Sequence, residues 1–565
     1  MRLRPFSPRS RAWFAGLAFV ACAGGAPADL VLRGGAVYTV DATRPWAEAV
    51  AVRDGRIAFV GSSDSVASWI GPATRVLELN GGMVLPGFHD THVHPVTGGI
   101  ELGECDLNDL ASRAALLSRI ADCARHDSSG GWLRGGGWSS PLFAGGSPSR
   151  RALDSVVPDR PVYLTSLEGH SAWLNSRALA EARIDASTPD PPNGRIDRDA
   201  AGAPTGTLRE RAMDLVEPYL PAYGAEDYLA GLRRGLAMAA RYGITSLHEA
   251  SADEAIARAY REAERVGVLT ARVVVSLRID TDAEPAAEVA RLTELRARYA
   301  GRLVRPVAAK IFLDGVIEGG TAAMLEPYGG TTGDRGELNV RPERLRTLVH
   351  ALDDAGFKVH VHAIGDRAIR VALDAFATQR TRDGGAGPRH IMAHLQLFDP
   401  ADVPRLAALG VVASFQPLWA YADTYITDLT EPRLGPARSR WLYPIASVTR
   451  SGAIVAAGSD WSVTSMDPLR AIQVAVTRRD PDLAEGPAWI PDERVDLATI
   501  LRAYTLGGAY ASDAEATTGS IAVGKAADLV VLDRNLFAVP EADIHRVRVL
   551  WTFLAGREVY GRVGG

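Results

Sequence analysis

The stretch LPGFHDTHVHP, residues 85–95, sets His89, Asp90, His92 and His94 almost side by side in a chain that has only 12 histidines. On an extended backbone successive side chains alternate between faces, so His92 and His94 share one face and Val93 takes the other. Two neutral imidazoles aimed together are a ready clamp for zinc or a similar ion. An isolated His-x-His is equally at home in a polar surface turn, so the rest of the chain must decide.

Four further stretches bear on that choice. In VAAKIFLDG, Lys310 sits inside an apolar run, where an unpaired buried ammonium would cost several kcal/mol. Two answers are open: a carboxylate neighbour such as Asp314, or carboxylation of the amine by carbon dioxide to an anion that bridges two metal ions. KVHVHAIGD holds a second His-x-His, with His362 nearer the strand end and His360 one layer deeper as a hydrogen-bonded core histidine. In RHIMAHLQ, His390 and His394 share parity but stand about 13 Å apart on an extended strand, so only His394 reaches the end. AIVAAGSDWSV brings Asp460 to the close of the last β run, where a carboxylate can bind metal and take a proton from water. Each residue alone is more often structural than not. The ordered set His92, His94, Lys310, His362, His394 and Asp460, each at a strand end, is a joint signal for a metal centre.

The elements that must position these residues are short β-rich runs alternating with amphipathic helices. Strands are expected at 88–94, 245–248, 271–279, 307–313, 357–363, 390–395, 411–416 and 453–458, with PERLRTLVHALDDAG reading as a helix stopped by Gly356. Eight such units match an α/β fold of the (β/α)8 barrel type, whose active residues sit at the C-terminal strand ends. A doubly wound sheet is the alternative, but no glycine-rich phosphate loop supports it. Both chain ends read instead as short strands and turns, with Asp54-Gly55 a hairpin signal. They predict a composite small β-sandwich from residues 29–85 and 516–565, around a barrel spanning 86–515. Residues 95–223 are too long for one βα connection and predict an inserted subdomain over the barrel mouth.

The chain resembles the amidohydrolase superfamily, specifically the YtcJ-like branch that includes N-substituted formamide deformylases, over nearly everything after the first thirty residues. The motifs are LPGFHDTHVH, EGHSAWLNSRAL from Glu168, PTGTLRE from Pro204, KIFLDGVIEGGTAAMLEPY from Lys310, HAIGDRA from His362, AGSDW from Ala457 and TGSIAVGKAADLVVLD from Thr518. The resemblance implies a distorted TIM barrel and a divalent metal centre, most often two Zn2+. His92 and His94 would hold one ion, His362 and His394 the other, and carboxylated Lys310 would bridge them; a mononuclear site is the alternative. Asp460 would bind metal and serve as base, and the expected reaction is hydrolysis of a non-peptide C–N bond in an amide, formamide or cyclic amide. An esterase, lactonase or carbamate hydrolase on the same centre, and a non-catalytic solute-binding lipoprotein, are the competing readings. His170 is expected either to touch the substrate carbonyl or to pack within the insertion. Arg209 and Glu210 are expected to salt-bridge and order the pocket wall, or to contact substrate. Asp314 would orient Lys310 or the loop after it, His89 and His248 would play supporting structural roles, and Trp132, Trp138 and Trp173 could line an apolar pocket or simply fill space.

The totals agree with a small-molecule enzyme. A chain of 565 residues, 47% hydrophobic and 23% charged, has room for a large core, and a net charge of −5 without a basic stripe argues against a nucleic-acid partner. Residues 1–28 read as an export signal: four arginines before an apolar run at 12–21 too short to span a bilayer, then small residues. Cleavage after Ala28 and lipidation at Cys22, the latter giving a membrane anchor, are both open. Either way the expected location is periplasmic or lipid-anchored in a bacterial envelope, which permits a disulfide between Cys105 and Cys123, reduced thiols being the alternative. Oligomeric state is not encoded in any motif.

Overall fold

A computed structural model describes residues 26–561 apart from 129, 384–386 and 484; residues 1–25 of the expected export signal, Cys22 among them, lie outside these. Eight buried runs form the strands β1 (Phe88–Val93), β2 (Ile244–Ala252), β3 (Arg272–Arg278), β4 (Val304–Phe312), β5 (Lys358–Ala363), β6 (Ile391–His394), β7 (Val412–Phe415) and β8 (Val455–Ala457). All pair in parallel and in chain order. Just past the two edge strands, Asp460 N donates to His92 O (2.7 Å) and His94 N to Trp461 O (2.8 Å), so the sheet is a nearly closed barrel. The strands are buried on both faces because side chains fill the inside and helices cover the outside.

The helices follow from local sequence. Glu254–Arg265 starts at Asp253, whose side chain accepts from Ile256 N, and buries Ile256, Ala257, Ala259, Tyr260 and Ala263 at three- and four-residue spacing. Pro342–Asp354 stops before Gly356, which takes φ +74°, a conformation that glycine adopts without strain. Strand β2 runs four residues past its expected end. Its pairing slips on both sides, against β1 between Leu247 and Glu249 and against β3 between Glu249 and Ala252.

The two chain ends build one eight-stranded sheet, in which Leu529–Leu532 pairs with Met83–Pro86 and links C-terminal to N-terminal strands. It curls until the Asp54-Gly55 turn meets the Ala555-Gly556 turn, where a Cβ on Gly55 would lie 2.9 Å from Ala555 O. Leu30, Leu32, Val52, Ile57, Leu529 and Phe553 therefore share one enclosed core. The long segment after β1 supplies a separate six-stranded sheet running from Cys105–Asp106 to Pro204–Glu210, and Cys105 is disulfide-bonded to Cys123 on the helix Arg113–His126. Trp138 and Trp173 are fully buried in its core, 6.1 Å apart, and Trp132 packs against a neighbouring cluster, so of the two roles open to these three it is packing that they take. No helix among the described residues is long and apolar enough to cross a membrane.

Candidate metal centre

The barrel's seam builds the frame of the site. Asp90, two residues before His92, accepts from Ser459 N (3.0 Å), Ser459 Oγ (2.6 Å) and His92 N (3.2 Å), which ties the end of β1 to the turn that carries Asp460. Asp460 sits in that turn with φ +54°, a left-handed conformation that costs a non-glycine residue about 1–3 kcal/mol and that the surrounding bonds hold in place.

On this frame His92, His94 and Asp460 each bring a donor atom within 4.8 Å of the others. Asp460 Oδ1 lies 3.5 Å from His92 Nε2 and 3.2 Å from His94 Nε2. The far nitrogens are occupied elsewhere: His92 Nδ1 is 3.0 Å from His360 Nε2, and His94 Nδ1 is 3.3 Å from Glu249 Oε1. Imidazoles anchored through Nδ1 with Nε2 turned to a shared carboxylate are the donor set a divalent cation takes, and these residues fit one. The charge balance agrees. Burial alone would depress His94, but Asp460 and Glu249 outweigh it and raise the ring to about 9, so the spot between the two carboxylates favours positive charge.

Lys310, on β4, points into the same space, its Nζ 3.2 Å from His92 Nε2 and 4.7 Å from the Phe312 ring centroid. Among the described residues no carboxylate stands within 4 Å of it, and burial lowers the amine to about 7 despite Asp460. Asp314 is not its partner. The Asp314 carboxylate accepts from the backbone N–H groups of Ala323 (3.0 Å), Ile364 (3.0 Å) and Gly365 (2.8 Å), fastening the loop after β4 to the loop after β5.

His362 and His394 complete the imidazole quartet, with ring centroids 4.4 Å apart and His394 4.6 Å from His92. His362 Nε2 faces Gly315 O at 3.2 Å. His394 Nδ1 is 3.1 Å from Gln416 Oε1, its ring lies parallel to Trp419 at 5.5 Å, and Asp460 Oδ2 stands 3.8 Å away. The shared parity expected for His390 and His394 is wrong. His390 lies on the helix side, stacked on Phe376 with Nε2 3.1 Å from Asp353. His394 leaves β6 with φ +74°, followed by Leu395 at φ +53°, and this turn throws its side chain to the mouth against strict alternation.

The insertion reaches the cluster through His170, whose ring centroid is 5.4 Å from that of His362. Its Nδ1 is 2.8 Å from Glu210 Oε2, and Glu210 Oε1 accepts from Thr321 Oγ1 at 2.7 Å. Burial opposes the charged ring, yet Glu210 raises it to about 9. The expected Arg209–Glu210 salt bridge does not form, because neighbouring side chains on a strand diverge. Arg209 pairs with Asp197 (3.0 Å) and donates to Ser147 Oγ (2.7 Å). His170, Glu210, Ser140, Glu168, Glu318 and Thr321 wall a small pocket beside His362. Of the two supporting histidines, His248 Nε2 is 2.8 Å from Ser276 Oγ, while both ring nitrogens of His89 are buried without a partner.

Sequence reasoning missed Glu249, Gln416 and Trp419. Gln416 was the last residue of an expected strand, a position that flags it. Glu249 reaches His94 only because of the register slips in β2, which no periodicity reveals.

Comparison with known proteins bears on the same residues. A model of the amidohydrolase family matches residues 75–560, a span that contains every cluster residue. The chain belongs to the amidohydrolase family. It is 31% identical over 541 residues to putative amidohydrolase YtcJ of Bacillus subtilis, covering 94% of this chain and 99% of that one. It is 29% identical over 548 residues to an N-substituted formamide deformylase of Arthrobacter pascens, covering 95% and 99% respectively. An uncharacterised metal-dependent hydrolase from Pyrococcus furiosus superposes with a TM-score of 0.69 at 26% identity, over 90% of this chain and 99% of that one. This amidohydrolase is a metal-dependent hydrolase in an α/β barrel of the distorted TIM type.

Proposed function

We propose that the protein hydrolyses a non-peptide C–N bond of a small amide, with N-substituted formamides and cyclic amides as the leading substrate class. The observation that carries the reading is the convergence of His92 Nε2, His94 Nε2 and Asp460 Oδ1 beside a buried lysine that has no carboxylate within 4 Å among the described residues. The formamide class is suggested by the Arthrobacter pascens relative. His92, His94 and Asp460 would hold one Zn2+; His362, His394 and a carboxylated Lys310 would serve a second. The low pKa of Lys310, about 7 through burial, supports carboxylation, since the free-base amine is the form that adds carbon dioxide, with loss of one proton.

When bound, divalent zinc supplies Lewis acidity that polarises a carbonyl and makes water ionisable near neutral pH. Asp460 takes the proton from the attacking water through the carboxylate oxygen not turned to His94, then returns it to the leaving nitrogen, so that amine and acid depart with no net proton change. His170, held by Glu210, donates toward the carbonyl oxygen from the His362 side. The insertion that carries it walls off bulk water.

We further propose that the protein is exported, to the periplasm or to a lipid anchor at Cys22. The Cys105–Cys123 bond supports an oxidising location. The functional test is a panel of N-substituted formamides, N-acyl amines, cyclic imides and lactones given to the zinc-loaded protein, with amine or acid release read by chromatography. Turnover of formamides or cyclic amides above lactones is expected; turnover of lactones alone contradicts the C–N assignment.

A further inference from the structure

Beneath the cluster a line of contacts crosses the barrel interior that the hydrolytic step does not use. His92 Nδ1 on β1 lies 3.0 Å from His360 Nε2 on β5. His360 Nδ1 lies 2.9 Å from Ser276 Oγ on β3, and Ser276 Oγ lies 2.8 Å from His248 Nε2 on β2. His92 is 1% exposed and the other three 0%, and the line ends at His248 Nδ1, which is buried with no partner. Among the described residues no carboxylate forms an ion pair with His360 or His248, so a protonated ring in this line would be a buried, unpaired cation of high cost.

Neutral groups leave little freedom. A neutral imidazole has one N–H and one lone pair, and a serine hydroxyl has one proton to give. An arrangement in which Ser276 Oγ accepts from both rings leaves the buried serine proton with no acceptor among the described residues and is disfavoured. Two others make every contact a hydrogen bond and use that proton within the line. In one, His92 Nδ1–H donates to His360 Nε2, His360 Nδ1–H to Ser276 Oγ, and the Ser276 hydroxyl to His248 Nε2, which leaves the His248 proton on Nδ1. In the other all three bonds reverse, and His92 then carries its proton on Nε2, aimed at Lys310 and Asp460. Of these two, only the first turns a lone pair toward the cluster, as a cation ligand must.

We propose that His360, Ser276 and His248 are positioning residues which, as one unidirectional hydrogen-bond chain, keep the proton of His92 on Nδ1 and its Nε2 lone pair facing the cluster. The inference rests on the metal-dependent reading of the site above. It also assigns a state to a residue far from the chemistry: His248 shares its tautomer with His92 through two intervening groups, so occupancy at the cluster fixes the proton position at the other end of the line.

The test is proton-detected 15N spectroscopy of the full chain carrying 15N-histidine, before and after addition of zinc, which distinguishes Nδ1–H from Nε2–H rings; signals are assigned by loss in single variants. Zinc binding with both His360 and His248 as Nδ1–H rings is the expected result. Zinc binding with either as an Nε2–H ring overturns the chain while leaving the hydrolase reading intact, and absence of zinc binding overturns both. A second readout is zinc affinity by competition with a chromophoric chelator. His248→Leu removes the terminal acceptor and should weaken affinity about tenfold. His248→Gln, whose side-chain oxygen can accept where Nε2 does, should recover most of that loss. Equal affinity in His248→Leu and the wild type, or equal losses in Leu and Gln, would assign His248 to packing alone. Should His248→Leu fail to fold, the wild-type spectra still decide.

Discussion

Asp460 illustrates how much a single residue carries here. Its backbone closes the barrel seam onto His92 O, its turn hangs from Asp90 through Ser459, and its carboxylate touches both histidines of the first motif. In the proposed reaction it is ligand and base together. Asp460→Asn keeps an oxygen for the ion but loses the proton acceptor, so metal content should persist while kcat falls about 10²–10⁴-fold. Steady-state rates beside elemental analysis check this, and substantial remaining turnover would take the role of base from Asp460. That these six residues meet was legible in sequence because histidine and a lone lysine are rare in apolar strands and Asp460 closes the last β run. Glu249 and Gln416 were not, because acidic and amide residues at strand ends are ordinary and only three-dimensional register shows which reach a ring nitrogen. The Arg209–Glu210 pairing failed for a simpler reason, since adjacent strand residues part company at once.

At the scale of elements, all eight barrel strands were foreseen within a few residues, because buried parallel strands are short apolar runs between helices with visible stops such as Gly356. What escaped were departures from ideal geometry: the slips that lengthen β2 and the left-handed turn that sets His394 on the opposite face from His390. One helix start gives an independent test of local electrostatics. Asp467 caps Pro468–Thr477 by accepting from Leu469 N at 2.9 Å, and burial raises its carboxyl to about 6 despite that bond. The unfolded value is about 3.9. Between these values the folded state holds a proton that the unfolded state has released, so this group's contribution to stability is whole below pH 4 and is lost as pH rises through 6. Asn caps as well as Asp. Asp467→Asn should therefore match the wild type near pH 4 and unfold at a higher temperature at pH 7, whereas Asp467→Ala should cost about 1 kcal/mol at low pH through loss of the cap. Thermal unfolding across pH checks both; a lower melting temperature for the Asn variant at pH 7 would contradict the assigned burial cost.

The whole molecule divides its labour among three sheets. The curled terminal sheet braces the barrel floor, the barrel aligns the cluster, and the insertion brings His170 and the pocket wall to the mouth. That an insertion exists was evident from a connection too long for one βα unit; its own sheet and the burial of Trp138 and Trp173 were not, because large aromatics fit a core and a pocket equally well. The Cys105–Cys123 bond closes an 18-residue separation inside this insertion, worth about 3 kcal/mol by loop closure. The double variant Cys105→Ser/Cys123→Ser should lose stability of that order in denaturant, and unchanged unfolding midpoints would assign the bond no structural role. The account as a whole depends on the barrel mouth holding a divalent ion. Elemental analysis of the purified, dialysed protein beside a His92→Asn/His94→Asn variant tests this most directly. At least one zinc or similar ion per chain in the wild type, rising to two if carboxylated Lys310 serves a second, with most of it gone in the variant, is the predicted result; a wild type without transition metal even after zinc loading, or a variant that retains the full complement, would contradict it.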